Sequence, residues 1–382
     1  MDLVTHSTPG SSGTGGRPDK RTRPTMKDVA ERAGVSSKTV SRVFNNDLQV
    51  TEETRQAVLD AFASLGYRLN RAARSLRVGG DYVIAMAVES IADPFFAAMT
   101  EAVERTALER GAAVLVSSIG RDAERERQVI EGLMHRQISG LLAVAVGQDQ
   151  SYLAPHLADM PMVFVDRGPV GVDTDAVVTD NFEAAASGSR HLIRQGHRRI
   201  AFLGDSPDVP TTRERFAGYR YAMEEAGLAV VSDLVADGCP SEHEAANMTA
   251  RLLALEEPPT AVFSSNARCS IGLVPALHAQ RRTDVAVVSF GDFPMASTLV
   301  PGITVLEQDP ERIGRVAAER LLERMETPDL PVHRTVVAAE LIPRGSGELP
   351  PDTTGRGVVG GGRTAASRGS GQARRKRGER SA

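Results

Sequence analysis

Ser37, Lys38, Ser41 and Arg42 lie close together in the segment TMKDVAERAGVSSKTVSRVFN, Thr25 to Asn45. Their side chains suit the reading of base edges. An arginine can give two parallel N–H donors to guanine O6 and N7, and lysine, serine and threonine can donate to bases or phosphates. On a short helix all four would point outward near its start, where a helix seated in a major groove meets the bases. Catalytic chemistry has no comparable signal. The chain contains no G-x-S-x-G, no G-x-x-x-x-G-K-[ST] and no H-E-x-x-H. His135, His191 and His197 fall on helical stretches or at a helix end without metal-ligand spacing, which suits surface or core positions. Cys239 and Cys269, the only cysteines, are too few for a disulfide framework, and neither sits in a C-x-x-C. No catalytic residue, metal or cofactor is expected.

The elements that would hold the four polar residues can be read from the local pattern. Thr25 can cap a first helix with Asp28 three residues on, and Val29, Ala30 and Ala33 then share one face. Gly34 ends that helix and Val35 fills the turn. Ser36 is a good N-cap for a second helix, on which Val40, Val43 and Phe44 turn back towards the first. After a loop at Asp47 to Val50, Thr51 caps a third helix with Glu52 and Glu53 in its first turn. Ala57, Val58, Ala61, Phe62 and Leu65 form its apolar stripe and Gly66 stops it. A short basic segment, Tyr67-Arg-Leu-Asn-Arg-Ala-Ala-Arg-Ser-Leu-Arg77, follows with one exposed leucine.

From Thr25 to Arg77 this arrangement resembles the headpiece and hinge of the LacI/GalR family of bacterial transcription regulators. The resemblance implies DNA contacts from Thr25, Ser36, Ser37, Lys38, Thr39, Ser41, Arg42 and Asn45 in the headpiece. It implies further contacts from Tyr67, Asn70, Ala73, Leu76 and Arg77 beyond it. Asn70 to Arg77 is too short and polar to hold a helix alone, since helices below roughly 12–15 residues are marginal in water, so it should fold only on DNA. In the family two such hinges enter the minor groove and wedge a leucine between base steps. Leu76 matches that leucine, with Ala73 packing on the groove and Arg77 beside it.

Length and charge agree. A chain of 382 residues, 41% of them hydrophobic, has room for two or three domains and a large core. No stretch approaches the roughly 18–20 apolar residues of a membrane span. Met1 to Pro24 lacks the apolar stretch of a secretory signal, so the cytoplasm is the expected location, with no membrane partner. The net charge of −4 conceals strong segregation. Residues 20–77 carry 12 basic against 6 acidic residues, a net of +6. Residues 78–344 carry 24 against 38, a net of −14, and residues 345–382 carry 8 against 3, a net of +5. A basic headpiece on an acidic body can dock on phosphate while the body stays clear of it. The Gly-, Ser- and Arg-rich C-terminal segment has the composition of a solvated, disordered tail.

Beyond the hinge, short apolar runs alternate with helical periodicity. Strands are expected at Tyr82–Val88, Ala112–Val116, Leu141–Val146, Met162–Val165, Ile200–Leu203, Ala261–Phe263, Val285–Phe290 and Thr304–Leu306. Helices are expected at Pro94–Arg110, Ala123–His135, Phe182–Gln195, Arg213–Ala226, Glu242–Leu255, Cys269–Ala279 and Glu311–Met325. Such alternation means an α/β fold of parallel sheets with helices on both faces. The strands are too many for one sheet, and two lobes with a cleft would bind a ligand outside the carboxyl ends of the strands.

Through about Gly345 this body resembles the LacI/GalR core, which shares its periplasmic-binding-protein-like fold with sugar-binding proteins. The resemblance implies effector contacts at Asp93, Phe95 and Phe96, in the loop after the first strand, and at Asp166, before Arg167. It implies others at Arg215 in Arg-Phe-Ala-Gly, Asn266 after Ala261-Val-Phe-Ser-Ser, Asp292, and Gln308 after Thr304-Val-Leu-Glu. Loop Asp and Asn can equally cap helices, and Phe95 and Phe96 can equally be core. The chain also departs from the family. Gly291 stands where the family commonly has an aspartate that grips ligand hydroxyls, Ala267 stands where Asp commonly follows Asn, and Ala279–Thr283 is a shortened connection. No aromatic stands near Asp237–Pro240, and the chain has no Trp. A sugar pocket needs paired hydrogen-bonding groups and often an aromatic platform, so these departures weigh against a carbohydrate effector, although a sugar or related metabolite is what the family implies.

The expected organisation is an N-terminal extension (1–23, disordered), an all-α helix-turn-helix headpiece (24–69), a hinge (70–79), a bilobed effector-binding and dimerisation core (80–344) and a disordered basic tail (345–382). The expected function is that of a ligand-responsive regulator, a repressor, binding a near-palindromic double-stranded DNA operator as a homodimer. Closure of the cleft by effector would shift the two hinges and so their folding on DNA. No apolar heptad follows the core, which argues against a coiled-coil tetramer. The alternative is a protein of the sugar-binding type whose main role is ligand capture. It would share the core but has no use for the headpiece.

Overall fold

The structure is a computed structural model and describes residues 26–44, 50–65, 82–136 and 138–351, without the side chains of residues 41, 44 and 63. The chain divides into two compact units. The N-terminal one contains three helices, α1 (Met26–Arg32), α2 (Ser37–Phe44) and α3 (Glu52–Leu65). Val29, Ala30, Val40, Val43, Val58 and Ala61 form its core, with Phe62 and Leu65 packed against them. Ala57, expected on the apolar stripe of α3, is exposed instead, because the inward face of that helix centres on Val58. Gly34 has φ +67°, the left-handed conformation that closes α1 and that favours glycine. Ser36 caps α2 through a 3.0 Å bond from the Thr39 amide, and Thr51 takes the corresponding place on α3. Ser36→Ala is expected to lower the stability of this unit by about 1 kcal/mol, measured by thermal melting of the isolated N-terminal unit. An unchanged melting temperature would show that Ser36 does not set the start of α2.

The larger unit begins with β1 (Tyr82–Val88), α4 (Pro94–Glu109), β2 (Ala112–Ser118), α5 (Ala123–Met134), β3 (Gly140–Ala143), β4 (Met162–Asp166) and β5 (Asp175–Thr179). It continues with α6 (Asn181–Arg194), β6 (Ile200–Leu203), α7 (Pro210–Glu225), β7 (Val235–Ala236), α8 (Glu242–Leu253), β8 (Ala261–Ser264) and α9 (Ala267–Ala279). It ends with β9 (Ala286–Phe290), β10 (Thr304–Glu307), α10 (Pro310–Glu326), β11 (Arg334–Val337) and β12 (Glu340–Ile342). One sheet has the order β11-β5-β4-β3-β1-β2 and is parallel throughout. The other runs β12-β10-β9-β8-β6-β7 and is parallel except for β12, which pairs antiparallel to β10. The chain passes between sheets after β5, after β10 and between β11 and β12.

Each sheet is apolar on both faces, as parallel sheets buried under helices must be. In β6, Ile200 and Phe202 pack with Tyr219 of α7 and Ala184 of α6, whereas Ala201 and Leu203 pack with Ala245 of α8 and Leu273 of α9. Helices α6 and α7 approach so closely that a β-carbon at Gly218 would lie 2.2 Å from the Phe182 carbonyl oxygen.

The structure corrects several sequence expectations. β5, β7, β11 and β12 are strands that the sequence did not announce. The strand expected to reach Val146 stops at Ala143, because the buried Glu126 takes the amides of Val146 and Gly147 at 2.7 and 2.5 Å out of the sheet ladder. α7 starts at Pro210 rather than Arg213, with the proline in the first helical turn where its missing N–H costs nothing. The core also continues past Arg344. Ser346 donates to the Val287 carbonyl at 2.7 Å, Glu348 meets His191 at 2.6 Å, and the Leu349 carbonyl lies 2.8 Å from His197. A tail starting at residue 345 is therefore too early. Among the described residues no helix is long and apolar enough to cross a membrane, and no group of His, Cys, Asp and Glu could hold a metal.

Candidate functional site

In the N-terminal unit, α2 turns Val40 and Val43 inward and leaves Ser36, Ser37 and Lys38 exposed, with Thr39 and Arg42 half-buried. The Ser36 hydroxyl also lies 2.9 Å from that of Thr39, so two of the expected contacts are held by the cap itself. The side chain of Ser41 and all of Thr25, Asn45, Tyr67, Asn70, Ala73, Leu76 and Arg77 lie outside the described residues.

In the larger unit the loops at the carboxyl ends of the strands enclose a cavity of about 330 Å³. Asp93, Phe95, Phe96, Asp166, Arg215, Asn266, Asp292 and Gln308, far apart in sequence, all line it. Several also have a structural duty. Asp93 caps α4 through the Phe95 amide at 3.0 Å, and Asn266 caps α9 through the Cys269 amide at 2.8 Å. The Asn266 side-chain nitrogen and the second Asp93 oxygen have no hydrogen bond among the described residues. Phe96 is buried core, edge-on to Phe95 at 5.2 Å between ring centres. Asp292 is held by Arg344 in two bonds of 2.9 and 2.5 Å, so its charge is already answered from behind the cavity. Gln308, on the chain crossing after β10, donates to Thr179, the last residue of β5, at 3.3 Å.

Arg215 is the most constrained of the set. It is 5% exposed, its Nε donates to Asn181 at 2.8 Å, its Nη1 donates to the Ser265 carbonyl at 2.7 Å, and its guanidinium lies 3.8 Å from the centre of the Phe290 ring. Burial, partly countered by Asp166, pulls its pKa down to about 10. Burial pushes the carboxyl of Asp166 up, against Arg167 and Arg215. Asp166 has φ +64°, a left-handed backbone that is strained for a non-glycine residue and that cluster at functional sites often shows.

The sequence did not single out Glu89, Asp205, Arg268, Thr211, Thr212, Phe293 or Glu307, which also line the cavity. Glu89 and Asp205 sit just past the carboxyl ends of β1 and β6, a position that could have flagged them. Burial alone would raise the pKa of Glu89, but Arg167, Arg121 and Arg268 outweigh it and hold the value at about 2. Its folded pKa is depressed from 4.5, so the stability it contributes is present above that value and is lost as pH falls through about 2. Urea midpoints measured from pH 7 to pH 3 should therefore fall less steeply in Glu89→Gln than in the unaltered protein, and equal slopes would exclude this linkage. Phe293, with Phe95 and Phe96, supplies the aromatic surface sought near Asp237–Pro240; that segment does not line the cavity. α7 begins at the cavity with no side-chain cap, so its first N–H groups are available to a ligand. Gly291, where a carboxylate was missed, leaves a gap whose nearest side-chain atom is Gln308 Oε1, 3.3 Å from where a β-carbon would stand.

Residues 25–70 match the model for bacterial regulatory proteins of the lacI family, and residues 189–347 match the periplasmic binding protein-like domain. The chain is 31% identical to the HTH-type transcriptional repressor PurR of Mannheimia succiniciproducens, over 84% of this chain and 98% of the relative. It is also 31% identical to the ribose operon repressor of Escherichia coli K12, over 84% and 99%. Among solved structures it is similar to a transcriptional regulator CelR–cellobiose complex, at 30% identity and TM-score 0.62, covering 85% of this chain and all of that one. It is similar too to the Lac repressor dimer bound to operator and the anti-inducer ONPF, at 26% identity and TM-score 0.63, covering 85% and 99%. With a helix-turn-helix whose second helix turns a polar face outward, a two-lobed core around a polar cavity, and relatives matched over almost their full length, the chain belongs to the lacI family of bacterial transcriptional regulators.

Proposed function

We propose that the protein is a repressor that binds a near-palindromic operator as a homodimer and is controlled by a small metabolite held in the cavity between the lobes. The observation that carries this reading is the cavity itself, where eight residues expected to touch an effector converge from six separate stretches of chain. Residues 24–69 read the major groove, residues 70–79 form a hinge that folds on DNA, and the core answers the effector. Ser36, Ser37, Lys38, Thr39, Ser41 and Arg42 face base edges and phosphates, with Thr25, Asn45 and Tyr67 at the margins. Asn70, Ala73, Leu76 and Arg77 enter the minor groove.

The effector is a compact polar molecule with an apolar face, a sugar or a related ring metabolite. The phenyl groups of Phe95, Phe96 and Phe293 offer it a surface. Asp93, Asp166, Arg215, Asn266 and Gln308 offer it paired donors and acceptors. The ribose in one relative's name and the cellobiose of the solved complex are of this chemical kind. The absent carboxylate at Gly291 makes the grip on ligand hydroxyls different from that of the family's usual pocket.

The reading is tested by gel-shift titration of the full chain on duplex DNA selected from a random pool. Affinity should fall steeply with salt, as phosphate neutralisation requires. Arg42→Ala should cost about 1–3 kcal/mol and relax the preference at one base pair. If selection with this variant returned the same site, Arg42 does not read a base. A thermal-shift screen against sugars, nucleosides and phosphorylated metabolites tests the effector class, and silence across all three would exclude it.

A further inference from the structure

Two carboxylates and two arginines form a closed box across the cleft. One lobe brings Glu89 and Arg121, which pair at 2.7 Å, and the other brings Asp205 and Arg268, which pair at 3.2 Å. Two further pairs cross from lobe to lobe. Arg121 meets Asp205 with both terminal nitrogens, at 2.8 and 2.6 Å, and Arg268 reaches Glu89 at 3.4 Å. Glu89 and Asp205 are each 3% exposed. Arg167 adds a 2.6 Å bond to Glu89 from the first lobe, and the Asp205 carboxylate also takes the Ser206 amide at 2.8 Å.

We propose that this box is a clasp that closes the cleft without ligand. Each half is an acid–base pair already assembled within its own lobe, so opening the cleft leaves no bare buried charge. Closing it adds a bidentate arginine–carboxylate bond, the geometry in which such pairs are strongest. Closure therefore depends on charges at a cleft mouth that salt can reach once it opens, where screening acts over roughly 8–10 Å at ordinary ionic strength. Glu89, Asp205 and Arg268 also line the ligand cavity, so a ligand enters by parting the clasp and meets lobes that are already apposed. The inference concerns the core alone and stands whether or not the proposed effector class is right.

The test uses the full chain with cysteines placed at the exposed Glu104 and Glu224, one on each lobe, for a donor–acceptor dye pair. Cys239 and Cys269 are buried and burial pushes both thiols up, so they should not compete for label. With no ligand added and low salt, single-molecule energy transfer should show one dominant closed population. Asp205→Asn, which keeps the side-chain shape and removes the cross-lobe charge, should lower the closed-to-open ratio by about tenfold or more. Raising sodium chloride towards molar concentration should move the unaltered protein the same way. Glu319→Gln, in an exposed pair with Arg315 on α10 and outside the cavity lining, should change nothing. A dominant open population at low salt would overturn the proposal, as would distributions unmoved by both Asp205→Asn and salt. If Asp205→Asn fails to fold by circular dichroism, the salt titration decides alone.

Discussion

Arg215→Ala is expected to destabilise the core by about 3–5 kcal/mol, measured as the loss of unfolding free energy in urea. The guanidinium ties three separate stretches of chain. It grows from α7, binds Asn181 at the start of α6, and binds the carbonyl of Ser265 after β8. Its loss would leave two buried acceptors without donors and Asp166 without one of its two arginine neighbours, in a setting where each unsatisfied group carries its full desolvation penalty. Arg215→Lys should recover only part of the loss, because an ammonium keeps the charge but cannot span both acceptors as the planar fork does. A loss below about 1 kcal/mol in the alanine variant would show that the site relaxes around the gap and that Arg215 is there for ligand alone. The same variants measured with ligand separate the two duties, since lysine should restore stability further than it restores a ligand-induced thermal shift.

Leu76→Ala is expected to weaken operator binding by on the order of 2–3 kcal/mol, roughly 30- to 150-fold, while changing non-specific binding little. If the leucine wedges between base steps, its side chain is what holds the duplex kinked, and the energy of kinking is recovered only from contacts at the specific site. Phosphate contacts from the basic residues around it are untouched by the substitution, so non-specific affinity and its salt slope should persist. Gel-shift titrations on selected and random duplexes read the difference directly, and equal losses on both would sink the wedge role.

The headpiece was legible because its signals are local. Ser36, Thr51 and Gly34 act within one turn of a helix, and Val29, Val40, Val43 and Val58 follow the helical period closely enough to identify a shared core. The alternating body was legible for the same reason, since the buried strands of both sheets are continuous apolar runs. What failed was short or mixed. Arg334–Val337 is a strand only because it pairs with Asp175–Thr179, far off in sequence, and Asp175–Thr179 is held between that strand and β4; their own residues alternate too little to announce it. Ala143 ends its strand because of Glu126, a helix residue with no sequence mark of its role.

The amino-acid sequence by itself determined that this protein has a DNA-reading helix pair followed by two α/β lobes, because caps, turns and periodicity are interactions among near neighbours. Through the resemblance to the LacI/GalR family it also marked Arg215, which the structure places on α7, and Asp166, Asn266 and Gln308, which fall at the ends of strands. Only the tertiary structure decided which of these groups remain available and which are engaged, since Asp292 is answered by Arg344 and Arg215 is fastened to Asn181 and Ser265. It alone decided that Glu89, Arg121, Asp205 and Arg268 meet. Their pairing spans residues 89 to 268 and exists only when two independently wound sheets face each other, a proximity that no local pattern of charge encodes.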